Sequence, residues 1–135
     1  MTVALYPTAA QIEALLAAPD DGPVVMVNLL RFKARADAPD ADATGEEAYR
    51  RYTASMLDFI AARGARVIWN GRLESQVMGT GAEGFDVIAL VEYPSRRAFF
   101  EIATDPHVQE IGVHRTAGLE GQWLLAARTM EEERR

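Results

Sequence analysis

The chain has 135 residues, 49% of them hydrophobic, a formal net charge of −6 and no cysteine. That length suits one domain with an ordinary core, and the acidic balance argues against nucleic acid or an anionic membrane surface as a partner, since both select a basic patch. Without cysteine there are no disulfides and no thiolate metal sites.

No apolar run approaches the ~20 residues of a membrane span, and the start Met-Thr-Val-Ala-Leu-Tyr-Pro lacks the basic and apolar parts of a signal peptide. The expectation is therefore one cytoplasmic domain over residues 1–135. Thr8-Ala-Ala-Gln11 is a capping box, and Ile12, Leu15 and Leu16 follow at helical spacing, which predicts a short helix from Thr8 to Ala18. Pro19-Asp-Asp-Gly-Pro23 turns the chain. Val24 to Lys33 is the least ambiguous strand. One face reads Val24, Met26, Asn28, Leu30, Phe32; the other reads Val25, Val27, Leu29, Arg31, Lys33. Apolar residues on both faces mean that both are covered.

Ala34 to Ala43 has no periodicity and reads as a mobile, solvated loop. Thr44-Gly-Glu-Glu47 is a second capping box, opening an amphipathic helix to Arg63 that Gly64 ends, with Tyr49, Tyr52, Met56, Phe59 and Ile60 along one side. Val67 to Met78 and Phe85 to Tyr93 read as strands. Between them, Gly79-Thr-Gly-Ala-Glu-Gly84 has the letters of a dinucleotide fingerprint, but that fingerprint needs a helix after it and a strand follows. It is read as a hairpin turn. Ser95 caps a helix from Arg96 to Ala103; Asp105-Pro106 restarts it as far as Ala117, and Gly118 ends it. Gln122 to Arg128 is a last strand, and Thr129 to Arg135 a charged tail.

The order is a helix followed by β-α-β-β-α-β, the ferredoxin-like α+β pattern, which packs both main helices on one face of an antiparallel sheet and leaves the other face bare. A second copy could cover that face, giving a dimeric α+β barrel with a cavity between the sheets; the helix at 8–18 could also lie across it. The homodimer fits better, because the helix is short and the face spans several strands.

Val-Val-Met-Val-Asn-Leu-Leu-Arg-Phe-Lys (24–33), the Tyr49-x-x-Tyr52 helix, Gly64-Ala-Arg-Val-Ile-Trp-Asn-Gly71 and Val91-Glu-Tyr-Pro-Ser95 together resemble the domain-of-unknown-function thirteen-thirty family. The resemblance covers roughly Pro23 to Leu125. It implies a dimeric α+β barrel like those of small cofactor-free monooxygenases and cyclases; the family itself has no settled activity.

Several residues stand out as candidates for chemistry. Asn28 interrupts an apolar face, either as a structural amide or as a polar handle on the floor of the cavity between sheets. His107 and His114 lie seven apart on one helix, too far for one metal to take both. His107 sits in the first turn, where the helix dipole favours a neutral imidazole able to act as a base; a surface histidine beside a cap is the plainer reading. His114 falls in a polar run. Tyr52, with Tyr49, reads as core with its hydroxyl at an edge. Trp69 is core or cavity wall. Arg31, Lys33 and Arg72 are ordinary surface charge or a grip on a carboxylate or phenolate. The expectation is a small-molecule pocket without cofactor or metal, in which His107 is the proton acceptor and Asn28, Arg31, Tyr52, Trp69, Arg72 and His114 contact the ligand. Two alternatives stay open: non-catalytic ligand binding, and a dry dimer interface with no ligand site.

Overall fold

A computed structural model describes residues 2–20 and 22–130. The elements are α1 (Ala9–Ala17), β1 (Val24–Phe32), α2 (Gly45–Ala61), β2 (Arg66–Arg72), β3 (Val87–Tyr93), α3 (Arg96–Ala103), α4 (Pro106–Gly118) and β4 (Leu119–Ala127). Both capping boxes form in full: the threonine oxygen accepts from the backbone N–H three residues on, and Gln11 or Glu47 reaches back to the cap N–H. Ser95 and Asp105 cap α3 and α4 as simple N-caps, accepting from the Ala98 and His107 N–H groups, with Pro106 in the first turn of α4.

The four strands form one antiparallel sheet in the order β2-β3-β1-β4. One face carries the helices. Val24, Met26 and Tyr93 of the sheet pack there against Ile60, Ile102 and Val108, with Leu15, Met56, Phe59 and Phe99 closing the cluster. Register places Val25, Val27 and Leu29 of β1 on the opposite face, beside Ile88 and Leu90 of β3 and Trp123 and Leu125 of β4. Trp69 of β2 pairs with Leu90 and is 55% exposed, and no helix among the described residues packs over this outer face.

The structure corrects the sequence reading in several places. Asn28 shares its face with Val24, Met26 and Leu30, all buried in the helix-packed layer, so it points toward the helices and not into a space between sheets. α1 docks beside α3 with Leu15 against the core, so it does not cross the outer face. The 34–43 connection is anchored: Ala36, Asp40 and Ala43 are buried, Asp37 N–H donates to Ala117 O, and Ala36 N–H to Ala43 O. β2 stops at Arg72, well short of Met78. Beyond it the chain loops out on its own side chains, with Gln76 bonded to Met78 O and Ala82 N–H, and Gly79, Gly81 and Gly84 all at positive φ. β3 starts at Val87, and just before it the Asp86 carboxylate accepts from the Phe32 N–H at 2.8 Å. α4 runs through Gly118 straight into β4, which therefore begins at Leu119. Of the charged tail, residues 131–135 lie outside the described residues.

A glycine pair fixes the helix layer. The Lys33 N–H donates to Gly118 O (2.8 Å), and the Lys33 carbonyl accepts from the Gly45 N–H (3.0 Å). The start of α2 and the end of α4 therefore meet on one backbone position of the β1–α2 connection. A Cβ on Gly45 would sit 2.6 Å from Gly118 O, and one on Gly118 would sit 3.0 Å from the Tyr49 nitrogen, so only glycine fits at either place.

Candidate functional site

Between the helix layer and the sheet lies an open cleft of about 1470 Å³. Ile12, Leu15, Met26, Met56, Phe99 and Val108 supply apolar wall. Residues 37–39 of the β1–α2 connection form one rim, and the cleft reaches the β4 edge at Leu124, where the N-terminal segment pairs through Ala4 and Gln122.

Of the four tyrosines that line it, Tyr6 belongs to the N-terminal segment and the other three stand on α2 and β3. Tyr49 and Tyr52, one turn apart on α2, hold their rings 5.4 Å apart, and Tyr93 at the end of β3 packs edge-on to Phe99 at 5.0 Å. None of the three phenolic hydroxyls has a hydrogen-bond partner among the described residues. A buried hydroxyl would find one. Arg96 Nε is the sole sealed-off side-chain polar atom without a partner among the described residues, so the three hydroxyls are within reach of solvent through the cleft they line. Burial raises all three phenol pKa values above the ordinary 10.0; the positive charge of Arg115 offsets part of this at Tyr49 and Tyr52. The hydroxyls are therefore neutral donors at ordinary pH.

Beside them runs a polar relay. Arg115 Nη2 donates to Leu5 O (2.6 Å) and Gln122 Oε1 (2.8 Å); Gln122 Nε2 donates to Asn28 Oδ1 (3.2 Å); Asn28 Nδ2 donates to Met26 O and Ala89 O. Arg115 also lies over the Tyr6 ring at 5.5 Å, and the Tyr6 hydroxyl meets Thr116 Oγ1 at 2.7 Å. The N-terminal segment is thus tied to α4 at the cleft wall.

Of the residues singled out in the sequence, Asn28 and Tyr52 line the cleft. The others lie elsewhere. His107 is exposed in the first turn of α4, stacks on Phe59 at 5.1 Å, and does not line the cleft. His114 turns to Asp40, and Arg72 is ion-paired with Glu46 at 2.7 Å. Arg31 pairs with Glu120 at 3.3 Å, and Trp69 lies on the outer sheet face. Tyr93, Gln122 and Arg115 also line the cleft, and no motif in their local sequence marks them as site residues. No spacing rule brings Arg115 to Tyr49; only the packing of α4 on α2 does. The available signal was the pattern of polar residues on otherwise buried faces, Gln122 among them.

A second polar cluster stands outside the cleft. Asp40, 2% exposed, accepts from His114 Nδ1 and from Arg51, which also approaches Asp42 at 3.4 Å. Burial alone would raise the Asp40 pKa, but the bonds and charges of His114 and Arg51 outweigh it and hold the carboxyl below its ordinary range.

These features define a ferredoxin-like α+β protein with an open cleft on the helix side of its sheet. The chain belongs to the family described as domain of unknown function DUF1330, whose profile matches residues 39–129. A protein of unknown function from Rhodopseudomonas palustris, RPA0582, is 33% identical over 97% of this chain and all of its own, with a TM-score of 0.86. Two more distant structures share the fold. A dabb family protein with a ferredoxin-like fold from Mesorhizobium loti is 12% identical (TM-score 0.53), and At3g17210 from Arabidopsis thaliana is 16% identical (TM-score 0.55). Each aligns with 82% of this chain, over 100% and 98% of its own length respectively. No functionally curated protein matches the sequence.

Proposed function

We propose that the cleft binds a small, partly apolar molecule, gripped by apolar walls and oriented by a few polar groups. Three solvent-reachable phenolic hydroxyls without partners among the described residues carry this reading: a ligand acceptor there would supply the missing bond. The cleft walls include no histidine among the described residues, and their one carboxylate, Asp37, is paired with Lys33. The lining therefore suits binding and orientation better than proton abstraction by a side-chain base. The test is a melting-temperature screen with small aromatic and unsaturated acids, amides and alcohols, followed by NMR of the chain with labelled tyrosine. Stabilisation accompanied by shifts at Tyr49, Tyr52 and Tyr93 supports the reading; binding that leaves all three unmoved overturns it.

We also propose that a second copy covers the outer sheet face, as in a dimeric α+β barrel. The support is its unbroken apolar character, from Trp69 across Leu90 and Val27 to Leu125, the last 52% exposed. Light scattering on the eluting protein tests it, and a clean monomer at working concentration sinks it.

A further inference from the structure

Given that the cleft binds a ligand, the arrangement around Arg115 says which chemical class. Arg115 is a partly buried cation with no carboxylate within ion-pair distance among the described residues. Its neighbours are neutral: a backbone carbonyl, an amide oxygen and phenols. The end of α4 offers only about half an elementary charge, short of a counter-ion. Nη2 spends its donors on Leu5 O and Gln122. Nε and Nη1 have no hydrogen-bond partner among the described residues, and neither is sealed from solvent, because Arg96 Nε alone is in that position among those residues. Three guanidinium N–H groups are therefore left to the cleft that Arg115 lines, and the hydroxyls of Tyr49 and Tyr52 lie within its electrostatic reach. Arg96 lines the same cleft in a different state: its Nε is sealed off, its Nη1 bonds Leu15 O, and the Asp20 carboxylate accepts from its backbone N–H. A planar donor fork beside neutral phenol donors matches the oxygens of a carboxylate or enolate. The purely structural account, a tie for the N-terminal segment, uses one nitrogen and leaves the charge unanswered.

We infer that the cleft selects organic anions, a carboxylate or enolate on an apolar, flat frame, with Arg115 as the residue that confers the selectivity. This rests on the cleft being a ligand site at all. The experiment uses isosteric pairs: benzoate, cinnamate and naphthoate against benzamide, cinnamamide and naphthamide, titrated into the wild-type chain by calorimetry and tyrosine-labelled NMR. The expected result is about tenfold or more tighter binding of each acid than of its amide, a preference lost in Arg115→Gln and partly kept in Arg115→Lys. Amides that bind the cleft as well as acids overturn the anion inference and leave the ligand site standing. A molecule panel that never perturbs Tyr49, Tyr52 or Tyr93 overturns both. The acid–amide comparison in the wild type decides the matter even if Arg115→Gln does not fold.

Discussion

Asp40, in the connection between β1 and α2, and His114, on α4, share a 2.7 Å hydrogen bond across 74 residues of sequence. With Arg51 of α2 on its other oxygen, one buried carboxylate joins a connection and two helices. The same connection supplies the cleft rim at residues 37–39, so this contact sets where the rim stands.

Replacing Asp40 by Asn keeps the volume and removes the charge. The expected loss is about 1–3 kcal/mol of folding stability, the range for hydrogen bonds to charged groups, read by urea denaturation at neutral pH. The pH dependence has a definite sign. The carboxyl is held below 3.8 in the folded chain, so its contribution is present above that value and disappears as pH falls through the folded pKa. The gap between wild type and Asp40→Asn should narrow in acid; a gap that widens there contradicts the assignment.

Asn28 and Tyr49 should behave in opposite ways. Asn28→Leu strands the Gln122 amide, which donates to Asn28 Oδ1, and should cost about 1–3 kcal/mol. Tyr49→Phe breaks no protein hydrogen bond and should change stability by less than about 0.5 kcal/mol, while weakening any ligand that accepts from the phenol. Thermal melts with and without ligand separate the two effects.

Alkali gives a third test. Tyr49, Tyr52 and Tyr93 have pKa values raised by burial from 10.0, so unfolding lets them ionise sooner. Their contribution is complete below that value and is lost as pH rises through the folded pKa values. Stability should therefore fall as pH climbs past 10, and Tyr93→Phe should shallow the slope. Ultraviolet phenolate absorbance followed alongside circular dichroism would show ionisation of these residues coinciding with unfolding.

Gly45→Ala would drive a methyl into the backbone of Lys33 and Gly118. Neither neighbour is a flexible side-chain end, so the expected cost is about 3 kcal/mol, at the upper end of ordinary overpacking. Near-ultraviolet circular dichroism should report a disturbed Tyr49–Tyr52 pair even where the chain still folds.

On the outer face, Leu90→Lys should leave the core intact and turn a two-copy species into a monomer in light scattering, since Leu90 packs under no helix. An unchanged mass would place any interface elsewhere.

What the sequence made legible follows from locality. The caps at Thr8, Thr44, Ser95 and Asp105 act within three residues, and each was read where it occurs. The face of Asn28 was not legible, because β1 is apolar at both parities: Met26 and Leu30 look no different from Val27 and Leu29 until the helices are docked. Asp40 was hidden for a related reason. Its partners stand 11 and 74 residues away, so an aperiodic segment gave no sign of being pinned. Arg115 and Tyr93 come together only through tertiary packing, whereas Tyr52 could be found from its place in the helical stripe of α2.

The Gly45–Gly118 contact has a consequence for what sort of molecule the cleft can distinguish. α2 and α4 run antiparallel from that joint, with Tyr49, Tyr52 and Arg115 close to it and Met56 and Val108 at the far ends. The spacing of the helices is set where the polar groups are, and it is free to respond to side-chain size where the walls are apolar. A ligand's head would then be judged strictly and its tail leniently. In a homologous series of acids with lengthening alkyl tails, Met56→Ala should move the preferred tail length and leave the acid–amide ratio where it was.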